Sequence, residues 1–167
     1  MRNIQRRQIE ASAADVGVLL DGLAGPDDRV WPAGWPAIEL DAGLRIGSTG
    51  GHGPIRYSVV DYEPGTRIRL EFRPGLGIGG YHEFLLEPLG AARCLATHIL
   101  HGRLSGRMLL LWPLMIRWVH EALLQDLFDN LERGSTGQLR DGPARWSPWV
   151  RFLRRINGVP PIHSAAG

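Results

Sequence analysis

Between Ile55 and Gly102 apolar and polar residues alternate in short runs broken by turn residues, and from Arg107 onward the alternation gives way to a spacing of three and four. A meander of strands followed by one long helix is the order this predicts. If Ile55 to Tyr62 folds back on Arg67 to Phe72 through Glu63, Pro64, Gly65 and Thr66, then Tyr57 faces Phe72, Val59 faces Leu70 and Asp61 faces Ile68. Arg56, Ser58, Val60 and Tyr62 then share the other face with Arg67, Arg69 and Glu71. One face is mostly apolar and the other mostly polar, as an antiparallel pair with one wet side requires.

Folding Tyr81 to Glu87 onto Cys94 to Gly102 through Pro88 to Arg93 sets Leu86 against Cys94, Phe84 against Ala96 and His82 against His98. Two histidines thereby meet on the inner face, while Tyr81, Glu83, Leu85 and Glu87 point outward. The cover for that face is a helix over Arg107 to Arg133, with Leu110, Leu114, Ile116, His120, Leu123, Leu124, Leu127, Phe128 and Leu131 on its apolar stripe. Glu121, Gln125, Asp129 and Arg133 fall on the opposite side, and Gly134 supplies the stop. Pro113 either begins the regular part of this helix or kinks it, because its ring excludes an interior hydrogen bond.

Upstream, Asn3 to Glu10 reads as a first strand, and Ser12 with Asp15 as the start of a helix that ends at Gly25-Pro26. Asp27 to Gly53 reads as irregular, with a strand at Ile38 to Ile46 and a glycine-rich loop from Gly47 to Gly53. Trp31-Pro32 and Trp35-Pro36 carry too much apolar area to stay in solvent, so both tryptophans are expected to turn inward. The pattern divides the chain into a ligand-binding domain over 1–134 and a tail over 135–167. In the tail, Ser147-Pro148 starts a short helix whose Trp149, Leu153 and Ile156 share a face, ringed by Arg151, Arg154 and Arg155, with Asn157-Gly158 as its stop. Residues from Val159 onward read as disordered. The segment Arg145 to Ile156 suits either docking on its own domain or weak contact with an anionic membrane surface or a protein groove.

The chain contains no lysine, which excludes Schiff-base and pyridoxal chemistry through a lysine amine. Its formal charge of +2 comes entirely from arginines and fits genome composition, and the charged strand faces read as cross-strand pairs that call for no nucleic acid. A single cysteine, Cys94, fits a reducing compartment. Met108 to Ile116 is the longest apolar run and is short for a bilayer span, so the expectation is a soluble, cytoplasmic protein.

Three motif matches fail on context. Gly75 to Gly80 spells G-x-G-x-x-G, but Pro74 precedes it and a strand follows, so it reads as a flexible rim loop. His120-Glu121 begins a zinc-protease signature whose second histidine position holds Leu124. His98 and His101 are an odd number apart on a strand and point to opposite faces. No metal site and no cofactor are expected. His82, His98 and His120 remain as one inward constellation, readable as buried neutral imidazoles or as catalytic or ligand-orienting groups, with Tyr57 and Asp61 as partners on the same face.

Trp31-Pro32, Gly50 to Tyr57, Tyr62-Glu63-Pro64-Gly65, Tyr81-His82-Glu83-Phe84, Trp112-Pro113-Leu114 and His120-Glu121-Ala122 together resemble bacterial members of the SRPBCC superfamily, the START-like or helix-grip proteins, in the group of polyketide cyclases/dehydrases and lipid-transport proteins. The resemblance spans about Asn3 to Arg133. It implies an α+β fold in which a curved antiparallel sheet wraps a long C-terminal helix, with one or two short helices after the first strand and a cavity for apolar small molecules. On the register above, the residues expected to line it are Trp31, Trp35, Tyr57, Val59, Leu70, Phe72, His82, Phe84, His98, Ile116, His120 and Leu123. Three functions stay open: binding of an apolar or amphipathic, lipid- or polyketide-like molecule; a cyclase/dehydratase-type enzyme using His82, His98 or His120 as general acid or base; or a partner- or membrane-surface-binding protein acting through the Arg/Trp tail.

Overall fold

A computed structural model describes residues 1–156. Seven strands, β1 (Arg2–Ile9), β2 (Ile38–Leu40), β3 (Thr49–His52), β4 (Ile55–Glu63), β5 (Arg67–Phe72), β6 (Ile78–Gly90) and β7 (Arg93–Leu104), form one antiparallel sheet in the order β1-β7-β6-β5-β4-β3-β2. Helix α1 (Ala13–Asp21) follows β1, and the Ser12 hydroxyl caps it by accepting from Asp15 N–H at 3.1 Å. After β7 come α2 (Met108–Leu111), a π-helical turn (Trp112–Ile116), α3 (Arg117–Thr136) and α4 (Pro148–Ile156). The core lies between the inner sheet face and α3, where Tyr57, Leu70, Phe84 and Ala96 pack with Leu124, Leu127, Phe128 and Leu131.

Several departures from the sequence pattern follow from local geometry. In the β4–β5 pair Tyr57 faces Phe72 and Val59 faces Leu70, but a bulge at Val60 then shifts the ladder, so that Asp61 pairs with Arg69 and Tyr62 takes the place opposite Ile68. A bulge adds one residue to one strand and exchanges the faces beyond it. Asp61 therefore leaves the inner face and bonds Arg67 at 2.8 Å, while the Tyr62 hydroxyl reaches Asp21 of α1 at 3.0 Å. In the β6–β7 hairpin the strands run on to Gly90 and Arg93, so the turn is shorter than the six residues expected and the register slips by two: Leu86 faces Ala96, Phe84 faces His98 and His82 faces Leu100. An even slip keeps every side chain on its face, so both histidines still point inward.

The segment read as a glycine loop contains β3, and the strand expected over Ile38 to Ile46 stops at Leu40. Glycine is required here because a Cβ on Gly50 would sit 1.9 Å from the Glu39 carbonyl oxygen. In the long helix, the π turn around Pro113 adds a residue to the winding and rotates the inward phase. Met108, before the turn, and Trp112, its first residue, are buried, whereas Leu110 and Leu114 are exposed. Its stop is Gly137, in a left-handed conformation at φ +78°, rather than Gly134.

The helix side expected to face water instead meets the edge strand. Asn3 of β1 donates to Glu121, Gln5 accepts from Gln125, and Arg7 donates to Gln125, Asp129 and Glu132 at 2.9–3.0 Å. The same two carboxylates hold the tail: Asp129 accepts from Ala144 N–H at 2.6 Å and Glu132 from Arg140 N–H at 3.1 Å.

Beyond that point α4 docks on its own domain through Val150, Leu153 and Arg154, one helical turn apart, rather than through Trp149, Leu153 and Ile156. The Arg154 guanidinium lies 4.2 Å from the Trp35 ring centroid and 4.0 Å from that of Trp146, and both indoles donate to Asp126. The expected stop at Asn157-Gly158 and the disorder from Val159 lie outside the described residues.

Replacing Arg7 by leucine leaves Asp129 and Glu132, both nearly buried, without their cation. The expected loss is about 3–5 kcal/mol of unfolding free energy, measured by urea denaturation. A loss below about 1 kcal/mol would place the cluster among ordinary surface pairs.

Candidate functional site

Five adjacent strands each contribute at least one ring to the inner face: His52 from β3, Tyr57 from β4, Phe72 from β5, His82 from β6 and His98 from β7, with His120 added from α3. Alternation within each strand and the antiparallel register bring them into one row. Centroid separations along it are 5.6 Å from His52 to Tyr57, 4.4 Å to His82, 5.5 Å to His98 and 5.1 Å to His120. Phe72 stacks on His82 at 5.2 Å, and Phe84 meets His98 edge-on at 4.7 Å. Trp31 packs against His52 at one end and Trp112 against His120 at the other.

His82 Nδ1 and His98 Nε2 are 3.3 Å apart. Two neutral imidazoles can share that contact in either of two tautomeric arrangements. If His82 donates, its Nε2 is an acceptor and His98 Nδ1 carries a proton; if His98 donates, the two outer nitrogens exchange roles. The pair therefore always offers one donor and one acceptor. Both outer nitrogens, together with His120 Nδ1, are buried and have no hydrogen-bond partner in the protein.

Burial holds all four imidazoles neutral. Desolvation lowers His52 and His120 from the usual 6.5 to about 4. The same cause, with repulsion from His120 second, takes His82 and His98 well below 6.5. Burial likewise raises the Tyr57 phenol, so it stays protonated. Among the described residues no group of three or more His, Cys, Asp or Glu side chains is arranged to hold a metal ion.

Of the residues expected at the site, Tyr57, Val59, Leu70, Phe72, His82, Phe84 and His98 lie together on the inner face, and Trp31, Ile116 and His120 border it. Trp35 and Leu123 do not join them; they form a second cluster with Ala122 and Val150 under α4. His52 was hidden by the glycine-loop reading. The signal that could have found it is Gly53-Pro54, a two-residue link between His52 and Ile55 of the kind that closes a hairpin.

Two clefts adjoin the row and the tail. One of about 220 Å³ lies beside the β5–β6 loop and is lined by Ile55, Phe72, Pro74, Leu76 and Ile78 among others. A second, of about 470 Å³, lies between β1, α3 and residues 141–147, and its walls include Gln5, Arg7, Trp118, Gln125 and Trp146.

Lowered imidazole pKa values fix the sign of the pH dependence. Below pH 6.5 the unfolded chain takes up protons that the folded chain refuses until about pH 4, so stability is full above 6.5 and falls as the pH drops through that window. The loss is on the order of 3 kcal/mol for each of His52 and His120. Urea midpoints measured across pH 4–7 should show it, and His120→Gln is expected to flatten the curve.

The sequence matches no protein-family model, and no curated protein matches it. Among solved structures it is similar to norcoclaurine synthase from Thalictrum flavum in complex with dopamine and hydroxybenzaldehyde, with a TM-score of 0.61 and 14% identity, covering 80% of this chain and 84% of that one. CalU16 from Micromonospora echinospora gives a TM-score of 0.59 and 18% identity, covering 94% of this chain and 83% of that one. A Thermobifida fusca protein gives 0.61 and 17%, covering 79% and 93% respectively. Likeness at such identities is likeness of fold, and the chain has the helix-grip fold, a curved antiparallel sheet closed over a long helix.

Proposed function

We propose that this chain binds an apolar or amphipathic small molecule between the sheet and α3, with the imidazole row as its polar contacts. The observation that carries this reading is the set of buried ring nitrogens without a protein partner, one each on His82, His98 and His120. A buried polar atom left unbonded costs about 1–3 kcal/mol, and a ligand hydroxyl or carbonyl would recover it. The surrounding Tyr57, Phe72 and Phe84 give the mostly apolar wall with few polar groups that small-molecule sites favour. The 220 Å³ cleft is the entry in this reading, since Phe72 lines it and also stacks on His82. That a fold neighbour was solved with dopamine and hydroxybenzaldehyde bound lends support to a small-molecule role.

The 3.3 Å contact between His82 and His98 favours a second reading, a cyclase/dehydratase-type reaction. A neutral imidazole pair can accept a proton at one end and release one at the other without forming an imidazolium. Such a relay suits enolisation of a bound carbonyl compound, where one proton leaves carbon and another reaches oxygen.

Native mass spectrometry of the purified protein, followed by a denaturing run on the same sample, tests the binding reading. An organic adduct is expected, retained by a His101→Gln variant and lost from a His82→Leu, His98→Leu double variant that remains folded by circular dichroism. An adduct that survives the double variant would overturn the imidazole contacts, and a metal adduct would overturn the neutral row. For the catalytic reading, His98→Gln should retain binding of the identified compound while stopping its conversion.

A further inference from the structure

Helix α4 has two apolar faces. Val150, Leu153 and Arg154 are turned into the protein, while Trp149, Phe152 and Ile156, at steps of three and four, are 43–58% exposed. The outer face does not stand alone. Trp149 donates its indole N–H to the Leu114 carbonyl at 3.0 Å, which joins α4 to the π turn, and Phe152 stacks on Trp149 at 5.5 Å. Leu114 is 60% exposed, Leu110 one turn earlier 70%, and Trp118 42%. Six large apolar side chains thus form one outward band over two segments that are distant in sequence. A monomeric soluble protein seldom leaves so many together in water without a use for them.

Charge decides what covers the band. Residues 107–120 and 142–156 contain six arginines and no aspartate or glutamate. Arg154 is buried against the tryptophans and Arg117 is shared with Glu121, but Arg107, Arg151 and Arg155 are exposed. An apolar strip edged by guanidinium groups and carrying indoles is the surface chemistry that lies in the headgroup layer of an anionic bilayer.

The backbone is prepared for that medium as well. A π turn containing proline disturbs the regular bonding of the helix, yet the Pro113 and Leu114 carbonyls accept from the indoles of Trp118 and Trp149, each at 3.0 Å. Carbonyls satisfied within the protein can enter an apolar layer without an unpaired group. No helix among the described residues is long and apolar enough to cross a membrane, so the contact lies along the surface.

We infer that the π turn and the outer face of α4 together form a docking surface for anionic phospholipid bilayers, in which the band enters the interface and Arg107, Arg151 and Arg155 contact the headgroups. The inference is independent of the proposed pocket. Docking on the protein and contact with a membrane, which the sequence presents as alternatives for this helix, are here functions of its two faces.

The test is co-sedimentation of the full chain with vesicles of phosphatidylcholine alone and of phosphatidylcholine with phosphatidylserine. Binding is expected only with phosphatidylserine, weakened by added salt, and accompanied by a blue shift of tryptophan emission. Arg151→Gln and Arg155→Gln should each lower partitioning about fivefold. Phe152→Ser with Ile156→Ser should abolish it, while leaving the circular dichroism and any small-molecule adduct unchanged. Equal sedimentation with both vesicle types, or none with either, would overturn the inference. Sedimentation velocity showing a dimer that the Phe152, Ile156 variant dissociates would also overturn it, assigning the band to a second copy or a protein partner.

Discussion

The arrangement depends on one partly buried cation held by two buried carboxylates. Arg7 projects from the edge strand into a side of α3 that carries Gln125, Asp129 and Glu132, and its guanidinium satisfies all three. Each carboxylate has a second oxygen, and those oxygens take the backbone N–H groups of Ala144 and Arg140. Strand, helix and tail are therefore fixed by a single charge cluster. Taking such groups out of water is unfavourable unless every partner is present, so the three elements must assemble together. From Ala144 the chain can only run past Trp146 to the Asp126 and Arg154 contacts, and this orients α4 with one face inward and the other outward.

A second polar feature lies on the far side of α3. Four imidazoles on an apolar face, His82 and His98 buried and His52 and His120 partly so, are unusual because each is easily hydrated and easily charged, and burial opposes both. They are arranged one per element, which is why they form a row rather than a cluster around a point. Aromatic neighbours fill the spaces between them, so ring-to-ring packing supplies contact area while the edge nitrogens remain available for hydrogen bonding.

Much of this was legible in the sequence, and the failures have physical causes. Alternation placed Tyr57, Val59, Leu70 and Phe72 correctly, because inner-face burial sets the period. It failed at Asp61, since a bulge leaves no mark in an alternating pattern. The His82–His98 encounter survived an incorrect hairpin register because the slip was even, and the two rings meet diagonally instead of face to face. Leu110 and Leu114 were misplaced by the π turn, whose only sequence trace is Pro113. Glu121, Gln125 and Asp129 read as a solvated stripe because polarity alone does not tell water from polar partners on an edge strand such as Asn3 and Arg7. His52 was missed because glycines that permit close strand approach resemble glycines that make a loop.

The His82–His98 contact has a consequence for what the interior would accept. A carboxylate lying against both outer nitrogens would need a proton donor at each, and the neutral pair holds only one proton for its two ends. A second would require an imidazolium, which desolvation suppresses at neutral pH. An ammonium would need two acceptors and meets the same limit from the other side. Hydroxyl and enol groups, which give one hydrogen bond and take another, would suit such a pair in either tautomer.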